Sequence, residues 1–209
     1  MRTLRRRMIR QSSLPTSYER LEYIENTSTA YIDCGILLNK KDVAALQFKV
    51  SDIKNYTNQW MGANVYLQIR CTPNSVSNGL ESLYISNMDV VKAYYNDLKY
   101  YLSVNNKTIV RTWEKDINYN SSLSLFRLVG ISTYFTRCKI HFAKVYIKDS
   151  LTRHFIPCKR KSDGMIGMYD LVEKKFYTSP NGVAFMGGVK SKVFIASLFE
   201  PAMAERRVA

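Results

Sequence analysis

The sequence predicts an all-β sandwich, and three observations carry that prediction. Short runs rich in Val, Ile, Tyr and Phe recur along the chain, each bounded by Asn, Asp, Ser or Gly, which is the pattern of strands and turns. No segment places apolar residues at i, i+3, i+4 and i+7 over three turns, as an amphipathic helix requires. The 15 tyrosines suit strands that are half buried and half wet. At 209 residues with 46% hydrophobic content, the chain is long enough to sustain its own core.

Taken in order, residues 1–17 (MRTLRRRMIRQSSLPTS) read as an arm closing on a Ser/Pro-rich linker. The sandwich is expected over 18–190. LEYIE (21–25) and AYIDCGI (30–36) flank the polar turn NTST, and VAALQFKV (43–50), NVYLQIR (64–70) and SLYISN (82–87) follow. LKYYLSV (98–104) and KTIVRTW (107–113) are joined by Asn105-Asn106, a pair that tolerates the left-handed backbone of a tight hairpin. LSLFRLV (123–129) reads as one strand. In CKIHFAKVYIKD (138–149), Ile140 and Phe142 share one parity and Val145 and Ile147 the other. A strand with one buried face keeps its parity unless a β-bulge intervenes, here expected near Ala143-Lys144. Residues 191–209 form a tail, either a last strand or a docking segment for another subunit.

The formal net charge is +14, which attracts polyanions and acidic partners. Removing Arg2, Arg5, Arg6, Arg7 and Arg10 still leaves about +9, so the basicity extends beyond the arm. No apolar stretch follows those arginines, so the arm does not read as a secretory signal. No apolar run approaches the length of a membrane span. Charge alone specifies no nucleic-acid readout, and nucleic acid is not the expected partner.

The sequence offers little catalytic chemistry, and no enzyme activity, cofactor or metal is expected. Cys34, Cys71, Cys138 and Cys158 lack the tight pairing of a metal ribbon and read as reduced, buried thiols. Cys138 and His141 lie three apart in a predicted strand, hence on opposite faces, which argues against a zinc site with His154 and Cys158. Glu22 falls on the opposite strand face from Glu19 and Glu25, so these acids form no facing pair of the kind glycoside hydrolysis uses. Asp163 and Asp170 sit where turns favour Asp. The basic residues after Cys158 would lower its pKa if it were exposed. The two histidines, His141 and His154, lie among apolar neighbours.

Two segments carry a resemblance. LPTSYERLEYIENTSTAYIDCGI near the start and VYIKDSLTRHFIPCKRKSDGMIGMYDLVEKKFYTS near the end resemble a family of phage and prophage structural proteins with a LamG-like, concanavalin A-like jelly-roll domain. The matching positions are Leu14, Pro15, Tyr18, Leu21–Glu25, Tyr31, Ile32, Asp33 and Gly35. In the closing segment they are Phe155–Cys158, Gly164, Gly167, Tyr169, Asp170, Val172 and Lys175–Tyr177. The pattern departs at Cys34, where Thr is usual, and at His154, where Asp is usual; losing that carboxylate argues against a lectin-like calcium site.

The resemblance implies a jelly-roll β-sandwich with an extended N-terminal arm and C-terminal tail. It also implies a non-enzymatic role in a tailed-phage virion, as a capsid decoration, head-fibre or tail-attached protein made in the bacterial host cytoplasm. Other virion proteins are the expected partners, in a homo- or hetero-oligomer. The alternative is a lectin-like module binding a host-surface glycan, for which Trp60, Trp113 and the tyrosines are candidates. The docking residues expected on this reading are Arg2, Leu4, Arg5, Arg6, Arg7, Met8, Ile9 and Arg10 of the arm and Phe194, Leu198 and Phe199 of the tail. Lys159, Arg160 and Lys161 are candidates for a surface contact. Within the closing segment, FIPC is expected to end a strand at Pro157, where a ladder donor is lost. Gly164 and Gly167 are expected to serve positive φ or close backbone approach, and Asp170 to tie the following turn.

Overall fold

The computed structural model describes residues 13–39, 42–55, 59–63, 67–96, 99–112, 120–129 and 133–189. These residues form antiparallel sheets in a sandwich-like arrangement, with no helix among them. Consequently no helix among the described residues is long and apolar enough to cross a membrane. In chain order the first strands are β1 (Tyr18–Arg20), β2 (Tyr23–Glu25), β3 (Ile32–Leu38), β4 (Ala44–Ser51), β5 (Trp60–Ala63) and β6 (Leu67–Thr72). Then come β7 (Ser75–Ser77), β8 (Ser82–Tyr84), β9 (Val90–Asn96), β10 (Lys99–Val104), β11 (Lys107–Thr112) and β12 (Ser121–Leu125). The last are β13 (Arg127–Val129), β14 (Thr133–Phe135), β15 (Lys139–Ile147), β16 (Ser150–Arg160), β17 (Ile166–Asp170), β18 (Lys175–Tyr177) and β19 (Met186–Gly188).

Eleven strands make the larger sheet, along the path β11-β10-β9-β4-β15-β16-β17-β18, with β1 on β16 and β2 between β15 and β19. Six make the second sheet, ordered β3-β12-β5-β6-β7-β8, and β13-β14 is a separate pair. Alternation supplies the core: β4 turns Ala44, Leu46, Phe48 and Val50 inward and leaves the residues between them half exposed. Tyr95, Tyr100 and Phe155 join them from the larger sheet, and Ile32, Met61, Ile69 and Leu123 from the smaller. Each buried Val, Leu, Ile, Phe or Met side chain among them contributes roughly 1.5–3 kcal/mol.

Several expectations hold. Asn105 and Asn106 both have positive φ (48° and 67°) and turn β10 into β11. The parity switch in β15 does come from a bulge, but at His141 rather than near Ala143-Lys144. The register on β4 slips between Ile140 and Phe142, which leaves both His141 and Phe142 half exposed. A second slip, between Val145 and Tyr146, lies against β16.

Two expectations are corrected. The single strand predicted over 123–129 breaks at Phe126, whose φ of +64° turns the backbone while its fully buried ring packs on Phe185 at 5.4 Å. Pro157 does not end a strand; β16 runs through it to Arg160. The reason lies in its neighbours. On one side of β16, β15 pairs as far as Phe155 and β1 begins at Cys158. The Pro157 carbonyl accepts the Leu21 N–H at 3.0 Å on that same side. The missing proline N–H therefore faces the changeover between two partner strands, where no ladder donor is required.

Candidate interaction surfaces

The two segments that carry the family resemblance meet in space. β1 pairs with β16 through Tyr18↔Arg160 and Arg20↔Cys158. Tyr18 packs on Tyr169 and Phe176 with ring centroids 5.0 and 5.4 Å apart. With Leu14, Ile156, Cys158 and Leu171 these rings form a second, smaller apolar cluster. Cys158 is fully buried within it, and burial pushes its thiol up to about 12, so the exposure that would activate it is not met. Cys34, Cys71 and Cys138 are likewise free and buried.

Asp170 ties this corner as expected. It is completely buried, and its Oδ1 accepts the backbone N–H groups of His154 (2.8 Å) and Val172 (3.0 Å). Its Oδ2 lies 3.6 Å from Nε of Arg153, whose other end meets Glu173 at 2.7 Å. Arg153 Nε also donates to the Cys34 carbonyl at 3.2 Å, fastening the corner to β3 in the other sheet. Tyr177 closes the set through a hydrogen bond from its hydroxyl to Glu173. Gly167 needs its hydrogen side chain: a Cβ there would lie 2.1 Å from the Tyr177 carbonyl oxygen. Gly164 has φ +72° and ends the tight turn after Arg160.

The basic residues of this turn are not equivalent. Lys159 and Lys161 are exposed. Arg160 donates from Nη2 to Asp163 Oδ2 at 2.6 Å and from Nε to both carboxylate oxygens, with its guanidinium 5.0 Å from the Phe176 ring centre. That pairing draws the Asp163 carboxyl down to about 2, helped by the Met165 N–H. Arg160 is thus matched inside the turn, and among the described residues Lys159 and Lys161 have no such match. The expected docking residues of the arm (Arg2, Leu4, Arg5, Arg6, Arg7, Met8, Ile9, Arg10) and of the tail (Phe194, Leu198, Phe199) lie outside the described residues, as does Trp113.

A pair missed at the sequence level lies at the other end of β15. Ser51 Oγ and His141 Nε2 are 2.8 Å apart, and the ring also hydrogen-bonds the backbone of Glu22. Burial lowers the His141 pKa below its ordinary value, with the Glu22 charge acting the other way. The surrounding cavity of about 380 Å³ is lined by Glu22, Tyr23, Asp52, Asn87 and Lys139. Lys139 spans Asp52 (3.0 Å) and the Tyr23 ring (4.8 Å). A hydroxyl on a neutral imidazole supplies two parts of a nucleophile–base arrangement; the ring's other partner is peptide backbone rather than a carboxylate. Among the described residues no group of three or more His, Cys, Asp or Glu side chains could hold a metal ion. The described residues thus define an all-β, sandwich-like fold with a buried charged corner, a basic turn and a Ser–His pair at an open cavity. No family model, curated protein or solved structure matches the chain.

Proposed function

We propose that the chain is a structural component of a tailed-phage particle, a capsid-decoration, head-fibre or tail-attached protein. Its sandwich, a jelly roll of the LamG-like, concanavalin A-like kind, would be the rigid module, and the role needs no turnover. One observation carries the reading. The two segments resembling that family are separated by more than a hundred residues in sequence, yet they fold as one unit, with Tyr18 packed on Tyr169 and stacked on Phe176. That unit seats Leu14 on the closing segment, giving the Arg-rich arm a fixed point of departure. Guanidinium groups pair with carboxylates in bidentate fashion, and Leu4, Met8 and Ile9 add apolar anchors for a neighbouring virion protein.

Deleting residues 1–13 tests this. The truncated protein is expected to keep its melting temperature and lose incorporation into particles. Assembly at full occupancy would move the dock to Phe194, Leu198 and Phe199. Absence of the intact protein from purified particles would end the reading. The lectin-like alternative rests on half-exposed Trp60, which Arg70 overlies at 5.9 Å; retention on a neutral-glycan array that depends on Trp60 would favour it.

A further inference from the structure

The net charge does not name an anion, but the strand register of the larger sheet narrows the choice. On its outer face, cross-strand partners align Leu151, Tyr146, Ala45, Tyr94, Tyr101 and Val110 across β16, β15, β4, β9, β10 and β11. One side-chain step along the same strands, Lys144, Gln47 and Lys92 form a parallel row, and Lys49 stands a further step along β4. The apolar row is accessible at both ends, with Leu151 40% and Val110 47% exposed. Between them the rings of Tyr94 and Tyr101 sit 5.8 Å apart. Lys49, Lys92 and Lys144 form no ion pair among the described residues; Lys144 lies over the Phe142 ring at 5.9 Å.

We infer that this face is a binding site for single-stranded nucleic acid, with bases on the tyrosine row and phosphates on the lysine row. Two features select that ligand, and three other occupants fit the face less well. Unpaired bases stack on aromatic rings while a basic track follows the backbone. The two rows are about 7 Å apart, two residues along a strand, comparable to the span from a base across its sugar to its phosphate. An acidic glycan instead carries its charge on the same ring that would stack. A duplex keeps its bases paired and cannot offer their faces to a sheet. The basic arm of a second copy is excluded by like charge. This inference does not depend on the proposed particle role.

The test uses the full-length protein and a photoreactive oligothymidylate of about 15 nucleotides, with cross-links mapped by mass spectrometry and affinity followed by anisotropy against salt. Cross-links are expected at Tyr94, Tyr101 or Tyr146. Replacing Lys49, Lys92 and Lys144 together by Gln should flatten the log–log salt slope by about 2, at roughly 0.7 per phosphate contact on a single strand. Tyr94→Leu and Tyr101→Leu keep apolar bulk and should each weaken binding roughly ten-fold with the fold intact by circular dichroism. Cross-links confined to residues 1–12, or an unchanged salt slope in the triple variant, would overturn the inference. So would equal affinity for heparin that falls in parallel in the tyrosine variants, since the face would then read charge and not bases.

Discussion

The corner built from β16, β17 and β18 and the outer face of β15, β4 and β9 both carry cations, but they use them in opposite ways. In the corner, Arg153 faces Asp170 and Glu173, and Arg160 faces Asp163. On the open face Lys49 and Lys92 have no carboxylate opposite them in register; their cross-strand partners are Phe142, Val90, Gln47 and Ser103. The matched charges organise the chain, and the unmatched ones remain available to something else. A net charge cannot distinguish these cases, because it counts Arg153 and Lys92 alike.

The sharpest way to break the contrast is at Asp170. Asp170→Ala removes the acceptor of two backbone N–H groups and leaves Arg153 short of a carboxylate in a buried setting. A loss of about 3–5 kcal/mol is expected in chemical denaturation, the usual cost of removing one partner of a buried pair. A loss near zero would mean that the corner is not what holds β16 to β17.

A smaller effect is expected from pH. Burial holds both His141 and His154 below their ordinary value of 6.5. The unfolded chain then binds more protons than the folded one as the pH falls past 6.5. Stability is full above that pH and declines below it. Asp52, lowered by Lys54 and then Lys139, extends the decline: its contribution is present above about pH 4 and lost as the pH falls through its depressed value. Melting temperatures from pH 7.5 to 5 should fall, and the fall should shrink when both histidines are replaced by Gln.

The smallest effect belongs to the open face. Lys49→Gln with Lys92→Gln should change stability by no more than about 0.5 kcal/mol, upward if repulsion between like charges dominates. A clear destabilisation would show that these lysines are matched after all, and would erase the contrast.

Much of the corner was legible in the sequence because its demands are local. Gly164 answers a positive φ, Gly167 a close carbonyl, and Asp170 ties the turn two residues on. β9 was less visible, since Ala93 adds little apolar bulk between Val91 and Tyr95. The Pro157 changeover could not be read, because whether a proline costs a ladder bond depends on which strands lie beside it. The Ser51–His141 contact joins residues 90 apart, with no spacing rule to announce it. The bulge at His141, which puts Phe142 on the outer face, was signalled by the parity switch, but that signal placed it a few residues late.

The pairing of the opening segment with the closing one also bears on how the chain reaches its native state. Among the described strands, β1 and β2 pair with β15, β16 and β19, and even the Asn26–Thr136 hydrogen bond closes a separation of 110 residues. Closing so large a loop before any contact compensates for it slows folding. During synthesis β1 and β2 emerge more than a hundred residues before β15 and β16. For that interval Leu21 and Ile24 have no sheet to enter, and the nascent protein is at its most prone to aggregate.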